Sequence, residues 1–471
     1  MTEHVDVVIV GSRCAGSAAA IALANRGRSV IALDSASFPS DTLSTHLFFP
    51  HHWAELERLG ARQRVLALDP PLHTRAGLAA PGVELIGGYT PYDGLNAGSC
   101  VRRPGLDLAL VQTAREAGAE VRERTRVTNL ITSDSGRVTG VQFTTRDGSQ
   151  GSINAKLVIG ADGRRSTVAR LVGTTEHHSW QNQRMMAFAY YEDTHDSERD
   201  LAMQWRSDDD LVTVFPCDGG QSIALLMPPV HRADEFRADS AAAFDANVNR
   251  IPPFRERLSG CTRVGKIRTS VSHPSYFRHS QGPGWALAGD SGHFKDPVTA
   301  QGIRDALRFG RLLGEAAAPH LDDPLALDAA LAAWESDRDE QCLPMYQWAN
   351  QLGRDDTISP IEDAAYRWLA ARPGGPTEVF DVFSRIRSAP EVFTPTRLVR
   401  WLISANGNPD VNRRTLRKTL VRDLRREADR IVEHALFTQR RNKSASGPTH
   451  DLSARVSINS AVSPQLTTQK L

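Results

Sequence analysis

The 471-residue chain lacks the features that mark several large classes of protein. Its five cysteines, Cys14, Cys100, Cys217, Cys261 and Cys342, are odd in number, far apart and never in a Cys-x-x-Cys pair. That excludes a disulfide framework and a cysteine zinc site, and it fits a reducing compartment. No run approaches the roughly 20 apolar residues that a membrane-spanning helix needs, so stable membrane insertion is not expected. Met1-Thr2-Glu3-His4 leads directly into an apolar segment, without the basic region and long apolar stretch of a secretory signal, and the expected location is cytoplasmic. An excess of one charge is missing too: 56 Lys+Arg stand against 55 Asp+Glu. Nucleic acid is therefore given no electrostatic handle, and a small molecule is the expected partner. Nothing in the composition fixes an oligomeric state.

At this length the chain should split into two or three units. A β-branched run, Val5 to Val10, ends at Gly11; an alanine-rich stretch from Ala15 is closed by Gly27; a second apolar run, Ser29 to Leu33, ends on Asp34. Strand, helix and strand at that spacing make a βαβ unit with parallel pairing. A helix is expected over 106–117, stopped by Gly118, with a strand over 119–121. Between about 180 and 280 the texture changes to alternating strands, Met186 to Tyr191, Leu211 to Phe215 and Ile223 to Met227, broken by Asp/Gly turns. This predicts a separate antiparallel layer, and from about 299 the chain reads as helical. Residues 413–435 combine Leu416, Leu420, Leu424, Ile431 and Ala435 with many arginines; a helix for nucleic acid or acidic lipid is the alternative, and a docked amphipathic helix with a solvated basic face is expected. The polar residues 442–471 are expected as a disordered tail. The predicted class is α/β: a Rossmann-like domain (1–75, 98–178 and 281–325), an inserted antiparallel β-sheet substrate domain (76–97 and 179–280), and a C-terminal helical region (326–441).

The first turn, Gly11-Ser12-Arg13-Cys14-Ala15-Gly16, sits where backbone N–H groups and a helix dipole hold a pyrophosphate. It departs from G-x-G-x-x-G at Arg13, whose guanidinium suits a diphosphate. Asp34, 23 residues after Gly11, is positioned to accept hydrogen bonds from a ribose. Two later strands end in carboxylates: Leu157-Val158-Ile159-Gly160-Ala161-Asp162-Gly163 and Gly284-Trp285-Ala286-Leu287-Ala288-Gly289-Asp290. Ligands of open α/β sheets bind at such strand ends.

With these three motifs in order, the sequence from about residue 5 to about residue 320 resembles the flavoprotein hydroxylases of the p-hydroxybenzoate hydroxylase type, with their halogenase and geranylgeranyl-reductase relatives. The resemblance implies FAD as cofactor and NADPH or NADH as reductant. It implies that Gly11, Ala15 and Gly16 hold the pyrophosphate and Asp34 the adenosine ribose. Arg103, in Arg103-Pro104-Gly105-Leu106, would reach the flavin side, and Val127 would touch adenine. Asp290 would bind the ribityl chain, and Asp162-Gly163 would bridge FAD and the nicotinamide site. In Asp296-Pro297-Val298-Thr299-Ala300-Gln301-Gly302, Pro297 opens a turn and Gly302 lets the backbone lie against a ligand, so the next helix aims its positive end at the flavin. His46 is the candidate catalytic residue, with His293 and Lys295 flanking the Gly-Asp motif. Tyr190, Trp205, Phe215 and Met227 are candidates for a pocket lining.

The expected activity is an FAD-dependent monooxygenase that uses NAD(P)H and O2 on a small organic substrate. The alternatives are reduction of an isoprenoid-like C=C bond, halogenation, and a binding-only use of the fold. None of the eight tryptophans stands two positions from another, which disfavours the Trp-x-Trp element of tryptophan halogenases. Three carboxylates at ligand-facing strand ends disfavour a binding-only protein.

Overall fold

The structure, a computed structural model, describes residues 3–271 and 273–445. Its main sheet places parallel strands Trp285–Leu287, Gln150–Gly160, Glu3–Val10, Val30–Leu33 and Glu120–Arg122 side by side in that order. Val7, Val8 and Ile9 are buried on both faces, as a continuous apolar run in a covered parallel sheet should be. Gln150–Gly160 also pairs antiparallel with Val138–Thr145, which pairs with Thr125–Thr132 and so carries Val127 to the sheet's ligand end.

The alanines of the Cys14–Ala24 helix answer a packing demand. This helix is caught between helices Arg103–Glu116 and Gly302–Ala317 and is buried nearly all round. A Cβ at Gly310 would stand 2.4 Å from the Ala15 carbonyl oxygen, so the backbones meet there directly.

The second sheet orders its seven strands as Thr262–Ser270, Met186–Glu192, Gln221–Leu226, Asp210–Pro216, Leu201–Ser207, Arg75–Ala80 and Val83–Gly87. It is antiparallel as expected except for one pair: Leu201–Ser207 runs parallel to Arg75–Ala80, because the latter arrives from a distant part of the chain rather than by a hairpin. Alternation sends Leu78, Phe188, Phe215 and Leu225 to one face, and Ala79, Trp205, Val214 and Leu226 to the other. Phe236, Phe244 and Phe254 of three short helices cover the second face. Over the first lie Trp348 of helix Pro324–Leu352 and Phe380 and Phe383 of helix Gly375–Phe383.

The tail expected from residue 442 is corrected in part. Arg413–Ala445 is one helix, so 442–445 continue a nucleated helix rather than leave it; residues 446–471 lie outside the described residues. Among the described residues no helix is long and apolar enough to cross a membrane.

Candidate active site

The ends of the parallel strands open onto a cavity of 590 Å3. Gly11, Arg13, Ala15, Asp34, Arg103, Val127, Asp162, Gly163, Asp290, Pro297 and Gly302 all line it. Gly16 lies beneath this wall, where a Cβ would come within 1.8 Å of the Gly11 carbonyl oxygen. Gly11 itself has φ +98, a conformation that favours glycine.

Two helices start at the cavity, Cys14–Ala24 and Gly302–Ala317, and neither has a side-chain cap on its first amides. Uncapped first turns present N–H donors and positive dipole ends. The cationic side chains Arg103, Arg164 and Lys295 also line the space. The donor set therefore fits a long dianionic ligand with hydroxyl groups: amides and cations for a pyrophosphate, Asp34 and Asp290 for hydroxyls. At Gly302 an added Cβ would meet open space, as it should where a ligand lies against the backbone.

Asp34 accepts hydrogen bonds from the backbone N–H of Ser12 (2.7 Å) and Ala36 (2.8 Å), and burial raises its pKa above the ordinary value. Asp162 is more fully engaged. It accepts from Ser166 Oγ (2.5 Å), the Thr167 amide (2.6 Å) and Ser291 Oγ (3.2 Å). Ser291 in turn accepts from the Gly163 amide at 2.9 Å, so the second and third motifs are tied together by a residue that sequence reasoning missed. Asp290 is lifted above the usual carboxylate range by burial, against the pull of Arg164, Arg103 and Lys295.

Arg13 lines the cavity, yet its guanidinium is already held: it donates to Ser40 O (3.2 Å) and Ser40 Oγ (2.9 Å) and pairs with Asp107. Arg103 binds the same buried carboxylate through Nε (3.1 Å) and Nη2 (2.9 Å). Two cations on one anion leave the wall positive, and they fasten the glycine turn to helix Arg103–Glu116.

A second positive centre stands at the start of helix Gly302–Ala317. Asp305 pairs with Lys295, with Arg304 (2.9 Å) and with Arg385 (2.9 Å). Although burial opposes it, Arg385, Lys295 and Arg304 hold the Asp305 carboxyl well below its usual range. Gln301, buried, donates to Thr299 O (3.1 Å) and Phe383 O (2.8 Å) and accepts from Arg385 Nε (2.9 Å). Ala300 before it has φ +51 without being glycine, a strained turn held by these bonds.

His46 does not line the cavity, although Ser44 and Thr45 do. Its ring is fully buried between Ser44 O (2.8 Å) and Tyr190 Oη (2.6 Å), and burial, helped by Arg103, drives its pKa down to about 3. A neutral imidazole with both nitrogens occupied holds the loop in place; it is not poised to give a proton to a ligand. His293 does line the cavity, stacked on Phe277 at 4.1 Å.

Beyond the Pro297–Thr299 turn lies a small chamber of 30 Å3, sharing Thr45, Pro297 and Ala300 with the large cavity. Its walls are Phe49, Leu78, Phe215, Met227, Phe380 and Phe383, and none of its lining residues is charged. The hydroxyls of Tyr89, Thr213 and Thr299, all buried, face this region without a hydrogen-bond partner among the described residues. Of the expected lining residues Phe215 and Met227 are there; Trp205 belongs to the opposite face of the sheet, and Tyr190 is taken by His46.

A parallel sheet ending in a glycine turn and a long amide- and cation-lined cavity, with a second sheet closing one side, defines a dinucleotide-binding redox protein. Residues 4–339 match the family described as FAD binding domain, and the chain belongs to that family of FAD-dependent oxidoreductases. A menaquinone reductase of Mycolicibacterium smegmatis is 28% identical over 336 residues, 67% of this chain and 76% of the relative. Among solved structures, the flavin-dependent brominase Bmp2 is similar with a TM-score of 0.70 at 19% identity, covering 86% of this chain and 98% of the other. PqsL of Pseudomonas aeruginosa, a probable FAD-dependent monooxygenase, gives 0.62 at 18% identity, covering 80% and 100%. These structural likenesses show the fold.

Proposed function

We propose that the chain is a monooxygenase which binds FAD in the large cavity, takes electrons from NADPH or NADH, and transfers one oxygen atom from O2 to a neutral, largely apolar small molecule in the adjoining chamber. In this reading Gly11, Ala15, Gly16 and the free amides of the first helix hold the pyrophosphate, Asp34 the adenosine ribose, and the Val127 backbone the adenine. Arg103 and Asp290 face the ribityl and flavin part. Asp162 with Gly163 shapes the wall where nicotinamide would approach, and Arg13 supports the turn through Asp107. Pro297 and Gly302 set the helix end beside the flavin ring. Bound FAD supplies hydride acceptance and, once reduced, reaction with O2.

The observation that carries this reading is the uncharged, largely apolar chamber beside the cavity. Oxygen transfer needs a site from which water is excluded and in which the acceptor is held close. A bound apolar substrate would complete the aromatic and aliphatic walls and displace water from them. Tyr89, Thr213 and Thr299 offer unpaired hydroxyls to such a substrate, since buried hydroxyls are costly until paired. Lys295, Arg304 and Arg385, gathered on Asp305, would favour negative charge on a cofactor held at this helix end.

A second reading, reduction of an apolar C=C bond, is favoured by the menaquinone reductase relative. Turnover with NAD(P)H and 18O2 across a panel of neutral apolar compounds separates the two. One labelled oxygen per product is expected. Product formed equally well without air, two hydrogens heavier and unlabelled, moves the assignment to the reductase.

The cofactor assignment has its own test. Asp290→Ala removes acceptor oxygens from the ribityl hydroxyls and should weaken FAD binding roughly 5- to 150-fold, the equivalent of about 1–3 kcal/mol. Flavin fluorescence titration of the apoprotein measures it, and an unchanged affinity removes Asp290 from the site.

A further inference from the structure

Helix Arg413–Ala445 has two apolar faces. One docks on the protein. Leu416 packs with Trp401 and Ala405, Arg426 pairs with Asp356 at 2.7 Å, and Gln347 Nε2 donates to Arg430 O (3.1 Å) and Glu433 Oε2 (2.6 Å). The opposite face carries Val421, Leu424, Ile431, Val432 and Leu436, each between 40% and 61% exposed. At 3.6 residues per turn these five fall within an arc of roughly 140°. Arg414, Arg417, Lys418 and Arg425 fall in the same arc, are exposed, and form no ion pair among the described residues. Of the acids described on the helix, Asp423, Glu427 and Glu433 project well outside that arc, and exposed Asp429 stands just past its edge. The neighbouring helix Pro395–Gly407 adds Val399 and Ile403, one turn apart and both more than half exposed.

A helix on the surface of a globular protein normally turns a polar face outward. Here the outward face is apolar and cationic, the pattern of a helix that lies in a membrane interface with its apolar side chains at the acyl boundary and its cations among anionic headgroups. We infer that this face docks the enzyme reversibly on a bilayer surface rich in anionic phospholipid. Charge complementarity selects that occupant over a second copy of the chain: pairing two such faces would bury four unpaired cations per copy with no acid on the same arc to meet them. The inference stands apart from the oxygenase reading, because vesicle binding needs neither substrate nor turnover.

The test is co-sedimentation of the FAD-loaded full-length protein with vesicles of equimolar phosphatidylglycerol and phosphatidylcholine, and with phosphatidylcholine alone, at about 0.1 M salt. Partitioning at least about tenfold stronger on the anionic vesicles is expected, falling steeply with salt. Leu424→Glu with Ile431→Glu, and separately Arg417→Glu with Lys418→Glu, should each cut it by at least about tenfold while flavin content and NAD(P)H oxidation stay as in the parent. Equal, weak binding to both vesicle types overturns the inference. So does a dimer, seen by light scattering, that the Leu424/Ile431 pair dissolves while vesicle binding is absent, which would make the face a self-association surface. Binding by a chain ending at Ala445 but not by the full chain would likewise overturn it, with residues 446–471 as the cover.

Discussion

Replacing Gly16 by alanine is expected to weaken FAD binding by at least about 100-fold, roughly 2.7 kcal/mol. The added methyl would stand 1.8 Å from the Gly11 carbonyl oxygen and 3.2 Å from Ile9 Cγ2, so something must move. The turn is pinned from the other side: a Cβ on Gly11 would itself lie 2.4 Å from the Ala161 carbonyl oxygen. The helix cannot retreat either, because Gly310 brings another helix backbone against Ala15. Relief comes by opening the turn, which carries the first amides away from the pyrophosphate. Gly302→Ala is the informative partner, since its methyl meets no protein atom; it should leave the thermal stability of the apoprotein unchanged and weaken FAD alone. Titration and thermal melts of both apoproteins measure this. FAD binding by Gly16→Ala at the parent affinity would remove the glycine turn from the cofactor site.

The second large effect is loss of stability in mild acid. His46, His51, His52, His73, His273 and His293 are all buried and, chiefly for that reason, hold pKa values below the ordinary 6.5, with His46 and His52 down to about 3 and His73 and His273 to about 4. The unfolded chain takes up these protons near pH 6.5 and the native chain does not. Each histidine therefore contributes stability that is complete above about pH 6.5 and is lost as pH falls toward its native value, at up to roughly 1.4 kcal/mol per pH unit. Carboxyls raised by burial act in reverse, Asp34, Asp290, Glu335 and Asp423 among them. Burial pushes Asp296 up to about 7 and Asp339 to about 6, so each favours the native state as pH falls through those values. The six histidines, set against the two carboxyls whose native values lie in or next to this interval, leave a net loss, and the melting temperature should drop between pH 6.5 and 4.5. A melting temperature that stays level across that interval would show that the native chain admits these protons.

What could be read from the sequence was local. Strand, glycine turn and helix are set by residues that neighbour one another in the chain, and so are the carboxylates at three strand ends; Asp34, Asp162 and Asp290 do reach one cavity. What could not be read depends on partners far away. Arg13 looks free beside a diphosphate until Asp107, 94 positions on, takes its guanidinium. His46 looks like an acid-base group until Tyr190, 144 positions away, closes on its second nitrogen. Alternation in the second sheet is plain, but parity alone does not say which face meets the cavity, so Phe215 and Trp205 could not be told apart. The cations on Asp305 include Arg385, in a helical region whose pattern signals packing and no chemistry.

The chamber beside the flavin cavity is about the size of one water's share of liquid, far too small for any organic substrate as it stands. On the oxygenase reading proposed above, a substrate would therefore have to part its walls, and one wall is the turn of Pro297 to Ala300 that also borders the large cavity. That turn is braced through Gln301 to Phe383 and Arg385, and it is the wall that the two compartments share. On the same reading, filling the chamber should shift that shared wall, and the visible spectrum of bound flavin would register the shift.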